Sequence, residues 1–208
     1  MCSMNEKKYY AFWLSAICLL VFALQYFIGG FTDLFVLDGS SFSRPWRFVS
    51  AIFLHGGIGH LLYNIFALML FGFILESIIG SRRFLLVFFV SGILANLISV
   101  NFYLSSLGAS GAIFGVLGAL VVARPMMPVW AFSLPMPMFL ASILWAFGDL
   151  IGVFIPSGVG NIAHLSGLAM GIIFGFVFRS GKKEAVQNAQ IDLPEEYMQE
   201  WERRNMKR

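Results

Sequence analysis

Gly108-Ala109-Ser110-Gly111-Ala112-Ile113-Phe114-Gly115 is the stretch on which the reading of this chain turns. Small residues surround one serine, and an almost uncharged helical run continues to about Ala123. A hydroxyl at a helix start, between glycines and near membrane depth, suits plain membrane packing poorly, although serine does line helix contacts. The other reading of Ser110 is a nucleophile. Its own N–H is a free donor at the helix start, aimed where a tetrahedral oxyanion would sit. The flanking glycines leave room for a substrate backbone to approach.

The surrounding chain is a membrane protein by composition. Of its 208 residues 59% are hydrophobic and 12% charged, against about 45–50% and about 25% in soluble domains. Several runs approach the length needed to cross a hydrocarbon core about 30 Å thick. The net charge of +3 is better explained by membrane orientation than by nucleic acid. Cys2 in the leading tail and Cys18 inside the first apolar run give no disulfide framework. That first run follows Lys7 and Lys8, as a signal peptide would. It is longer than a typical signal core of about 7–15 residues and no small-residue cleavage site follows, so it reads as a membrane span.

Six apolar runs are expected to be helical spans, at roughly 9–28, 57–79, 84–103, 110–123, 138–155 and 161–178. The fold class is therefore all-α: a polytopic bundle of six transmembrane helices. The fourth span is short, as a helix starting below the membrane surface in a water-filled cavity would be. The loop between the first two spans carries Phe31, Phe35, Phe42, Trp46 and Phe48 and is expected to lie partly in the membrane interface. Trp46-Arg47 is expected to anchor it at the headgroups. Pro125, Pro128, Pro135 and Pro137 mark the connector before span five, and Pro156-Ser157-Gly158-Val159-Gly160 a flexible link after it. The division expected is a tail at 1–8, one six-helix domain at 9–180, and a polar tail at 181–208, where Pro194-Glu195-Glu196 opens a short helix.

Basic residues set the orientation. Lys7, Lys8, Arg82, Arg83, Arg124, Arg179, Lys182 and Lys183 fall on the side of the termini, and Arg44 and Arg47 opposite. The bias is expected to place both termini in the cytoplasm; the expected location of this multi-pass protein is a prokaryotic plasma membrane. Spans two, four and six then begin near the external face and bring His60, Ser110 and His164 to one depth.

Polar side chains within a bilayer are expensive, so each needs a reason. His164 alone fits an interhelical hydrogen bond, but a serine also needs a base to attack an amide. Gly167, Gly171 and Gly175 share its helix face, and Gly111, Gly115 and Gly118 form a matching strip on span four. Such strips let helices approach closely, which a Ser110–His164 hydrogen bond requires. His60 and Asn64, four apart on one face, are positioned to donate to an oxyanion. A metal site from His55, His60 and His164 lacks an accompanying carboxylate or cysteine at ligand spacing, so no metal or cofactor is expected. Asp149, nearer mid-membrane, reads as a structural or gating residue rather than the third member of a triad. Glu76, beside Arg82-Arg83, reads as pinning the end of span two.

Taken in order, Trp46-Arg47, the HGGIGHLLYN segment with His55, His60 and Asn64, Glu76 with Gly80, Gly108-x-Ser110-Gly111, and Ala163-His164-x2-Gly167-x3-Gly171 resemble the rhomboid intramembrane serine proteases. The resemblance covers Trp46 to about Gly175. It implies a Ser110–His164 dyad without a third acid, an oxyanion hole of His60, Asn64 and the Ser110 amide, an external loop that braces the fold, and a gate made by span five and the 155–161 link. It also implies single-pass transmembrane substrates within the lipid bilayer, cut near the outer face at small residues in weak helix. Gly108, Gly111, Phe114, Gly167 and Gly171 are then cavity or packing residues. Phe114 stands where many relatives have a tyrosine stacked on the histidine. The rival expectations are a non-catalytic rhomboid-like escort protein, which would usually lack the serine or the histidine, and a small transporter, whose polar residues would line a path across the membrane.

Overall fold

The structure, a computed structural model, describes residues 9–155, 158–188, 196, 203 and 204, with only the backbone of 180–188. Six principal helices form in chain order: α1 Tyr10–Phe27, α2 Ile58–Ile79, α3 Ser81–Ser99, α4 Ser110–Ala123, α5 Met138–Gly152 and α6 Asn161–Asn188. By length and composition α1, α2, α3 and the Asn161–Arg179 part of α6 are long and apolar enough to cross a membrane, and α4 and α5 are shorter apolar helices. Many apolar side chains face outward, among them Trp13, Leu20, Phe66, Phe147 and Phe154. An apolar exterior is what a lipid solvent demands. Lys7, Lys8, Pro156, Ser157 and the Pro194-Glu195 start of the expected tail helix lie outside the described residues. α6 runs on to Asn188, past the expected span end at 178.

The all-α expectation needs one amendment. Two short antiparallel pairs flank the bundle, β1 Leu37–Asp38 with β2 Ser105–Ser106, and the hairpin β3 Pro128–Ala131 with β4 Leu134–Pro137. The hairpin occupies the proline-rich connector. Prolines tolerate strands only where no ladder donor is missed, and a two-stranded ribbon consists of edges alone. Phe132 and Ser133 turn it with φ of 53° and 63°, the sign a two-residue hairpin loop needs.

α4 is the axis of the bundle. Ten of its residues are buried, from Gly111 to Val122, and its most extensive contacts are with α6, then α3. The glycine strips explain the approach. A Cβ at Gly167 would fall on the carbonyl of Gly111, and one at Gly171 on that of Gly115. On the other side of α4, a Cβ at Gly111 would lie 2.7 Å from the Ala95 methyl. Gly80, at φ 85°, makes the sharp break between α2 and α3.

Glu76 ties α2 to α1 rather than pinning its own helix end. Its carboxylate accepts the Tyr10 and Ala11 N–H groups at 3.0 and 3.1 Å, so a side chain from another helix caps the orphan donors of α1. Arg83 is turned elsewhere, over the Phe178 ring at 5.3 Å. Loss of a cap typically destabilises by about 0.5–2 kcal/mol. Glu76→Ala should therefore lower the thermal unfolding midpoint in detergent, while Arg82→Ala leaves it within a degree or two.

Arg47 corrects a second expectation. It is 2% exposed and holds the loop between α1 and α2 from within instead of reaching outward. Its guanidinium donates to Asp38 at 2.6 Å, to Ser40 Oγ at 3.0 Å, and to the Asp33 and Leu34 carbonyls at 2.5 and 3.2 Å. A planar fork of five donors is suited to such a node. Trp46 beside it is 53% exposed. Hydrogen bonds from Ser40 and then Arg47 hold the Asp38 carboxyl down at about 2. A carboxylate depressed by folding contributes stability above its unfolded value of 3.8 and loses it as pH falls toward 2. The unfolding midpoint of wild type should thus exceed that of Asp38→Asn at pH 6, with the gap closing as pH drops below 4.

Candidate active site

The chain brings its reactive candidates to one cavity of about 990 Å³, lined by His60, Asn64, Ser110, Phe114 and His164 among others. Ser110 is the first residue of α4. Gly108 before it has φ 126°, and its N–H donates to the Ala51 carbonyl at 2.8 Å, fixing the entering chain to the loop. A Cβ there would meet His60 Cε1 at 2.7 Å and Nε2 at 2.9 Å. Gly108 is thus the position that lets the His60 ring lie against the serine turn.

His164 lies in the first turn of α6. Its ring stacks on Phe114 with centroids 4.3 Å apart and planes within 3°, so the phenyl ring alone suffices for the stack. Gly111 faces Ala163 across the α4–α6 contact, which brings the starts of the two helices side by side. Ser110 and His164 share the cavity, but among the described residues no hydrogen bond closes between them. Catalytic hydrogen bonds are often long without substrate and tighten when it binds.

Asp149 differs from its expectation. It is buried on α5, and its Oδ1 lies 2.9 Å from His164 Nδ1. The resemblance implies a dyad with no acid, yet a carboxylate touches the imidazole here. The physical reason is the shortness of α5, which ends at Gly152 and so carries Asp149 in its last turn, beside the first turn of α6.

His60 and Asn64 sit one turn apart on α2, with Asn64 3% exposed and its Nδ2 donating to the His60 carbonyl at 3.0 Å. The amide therefore has one further N–H to give. A long contact of 3.5 Å runs from the Gly56 N–H to His60 Nδ1. It favours the tautomer with the proton on Nε2, the nitrogen next to Gly108.

His55 is a support rather than a cavity group. It is 2% exposed, its Nδ1–H donates to the Phe53 carbonyl at 3.1 Å, and its ring meets that of His60 edge-on at 5.1 Å. Burial, then the His60 charge, push its pKa down to about 4, so it packs as a neutral ring. Among the described residues no group of three or more histidine, cysteine, aspartate or glutamate side chains is placed to hold a metal ion. Tyr103 was missed by the sequence reading. Its hydroxyl accepts the Ile162 N–H at 3.1 Å and holds the start of α6 against the α3–α4 link. A tyrosine at a span end gives no signal that separates this duty from interfacial anchoring.

Comparison with known proteins gives the family. A family model described as Rhomboid domain matches residues 43–181, a range that holds every cavity residue named above. The rhomboid protease GlpG of Haemophilus influenzae is 27% identical over 183 residues, covering 84% of this chain and 93% of that protein. The rhomboid protease GluP of Bacillus subtilis is 34% identical over 178 residues, 80% of this chain and 34% of its own length. RHOMBOID-like protein 4 of Arabidopsis thaliana is 34% identical over 134 residues, and there too the match spans 34% of the relative. The chain thus spans about a third of the longer relatives and nearly all of the short one. With the matched domain taking in two-thirds of its length, it is an integral membrane protein that belongs to the rhomboid family.

Proposed function

We propose that this protein is an intramembrane serine endopeptidase that cuts single-pass transmembrane proteins near the external membrane face. The observation that carries the reading is that Ser110 and His164, from different helices, line one cavity in which Phe114 stacks on the imidazole. Ser110 Oγ attacks the scissile carbonyl while its proton passes to His164 Nε2. The oxyanion so formed is met by the Ser110 N–H, His60 Nε2–H and the remaining Asn64 N–H. When the C–N bond breaks, His164 returns the proton to the leaving amine. Water from the cavity then hydrolyses the acyl-enzyme, the same imidazole serving as base.

The substrate class follows from the setting. A peptide carbonyl in a membrane helix is already hydrogen-bonded, so the helix must open locally before Ser110 can reach it. Segments with weak helix formers are cut in preference. We take all six helices as crossings, with α4 starting below the external surface and both termini cytoplasmic; the placement of Arg82, Arg83, Arg124 and Arg179 supports this orientation. The test is reaction of the reconstituted protein with a fluorophosphonate together with cleavage of a model single-pass substrate in liposomes. Labelling and cleavage that both vanish in Ser110→Ala support the reading. Cleavage that survives the substitution refutes it, and labelling without cleavage of any transmembrane substrate points to a different acyl substrate.

A further inference from the structure

We propose that Asp149 is a positioning residue for the reaction, the carboxylate that orients His164 and steadies its charged form, so that this chain works with three groups where two suffice in the dyad. The inference rests on the proteolytic reading above. Its basis is geometric. Asp149 Oδ1 lies 2.9 Å from His164 Nδ1, and the two side chains are only 9% and 12% exposed. A carboxylate buried this deeply on an apolar helix is expensive unless paired. Asp149 is the one ionisable group among the buried residues of α5, which are otherwise Met138, Ala141 and Ser142.

The pairing decides the chemistry of the ring. A carboxylate accepts but does not donate, so Nδ1 carries the proton and the Nε2 lone pair is left for Ser110. The Phe114 stack fixes the ring plane, and Asp149 fixes its rotation within that plane. When Nε2 takes the serine proton, Nδ1–H stays on the ring. The imidazolium charge then forms beside Asp149 and no proton moves to the carboxylate. Among the described residues Asp149 is the hydrogen-bond partner of Nδ1, while the Tyr103 hydroxyl accepts the Ile162 N–H.

A plain tether of α5 to α6 would use the same contact but predicts different results. Full-length protein is reconstituted as wild type, Asp149→Asn and Asp149→Glu, and kcat and KM are measured with one model transmembrane substrate. Histidine-labelled ¹⁵N spectra are recorded in detergent, with His164→Ala to assign the ring. An orienting role predicts kcat down about 10²–10⁴-fold in Asp149→Asn at little-changed KM. It predicts a wild-type His164 protonated on Nδ1 that shifts toward Nε2–H in Asp149→Asn, with Asp149→Glu restoring both in part. Wild-type or faster turnover in a folded Asp149→Asn, as expected from a loosened tether, overturns the proposal, as does an Nε2–H tautomer in the wild type. The spectra do not depend on turnover. If wild type cleaves nothing, the protease reading fails on its own, and the tautomer still decides whether Asp149 sets the state of this imidazole.

Discussion

Ser110→Ala is expected to abolish cleavage without disturbing insertion or folding, and His164→Ala to do nearly the same. In serine proteases loss of the nucleophile or its base lowers kcat on the order of 10⁶, or about 8 kcal/mol of transition-state stabilisation. The two effects should not add, because each residue is useless without the other. Structural damage should be small. The Ser110 side chain is not tied into the hydrogen bonds that hold the start of α4, which come from backbone groups such as the Gly108 N–H on the Ala51 carbonyl. His164→Ala loses the Phe114 stack and leaves Asp149 without its partner, so its unfolding midpoint should fall further than that of Ser110→Ala. Activity of each reconstituted variant on one model transmembrane substrate, read beside its melting curve, checks both statements. A His164→Ala protein that still turns over the substrate within tenfold of wild type would remove the imidazole from the mechanism.

The second large effect is expected far from the chemistry. At Gly171 a Cβ would lie inside the carbonyl group of Gly115, 2.7 Å from its carbon. The obstacle is backbone, which cannot rotate aside as a side chain does. Overpacking of this kind costs about 1–3 kcal/mol for small insertions, and Gly171→Val forces α4 and α6 apart. His164 lies on the same helix face, two turns before Gly171, so the separation also moves the imidazole away from Ser110. A misplacement of about 1 Å can lower a rate on the order of 10²-fold. Gly171→Val should therefore lose both stability and cleavage. Gly148→Ala on α5, where a Cβ meets nothing within 4 Å, should lose neither stability nor insertion. Should the two variants melt alike, the close α4–α6 approach is not what holds the bundle together.

These expectations differ in how they became visible. Ser110, His164, His60 and Asn64 stand in the sequence as polar residues in apolar runs, each at the same end of its helix once the basic residues orient the spans. Membrane burial makes such residues conspicuous, because lipid offers them no other partner. The glycine strips were legible for a related reason: only small residues let helices approach this closely, and their spacing repeats with the helical turn.

What the sequence by itself determined is which helices form and roughly where they start, because hydropathy, helical period and charge bias are local and additive along the chain. What only the tertiary structure decided is whom each polar group meets. Glu76 caps α1 across 65 positions. Arg47 turns inward to Asp38 instead of outward to lipid, and Asp149 reaches His164 from a neighbouring helix. The proline-rich connector pairs into a hairpin through Phe132 and Ser133. Each of these turns on the relative height and rotation of separate elements, and a hydrogen bond is made or lost within about half an ångström.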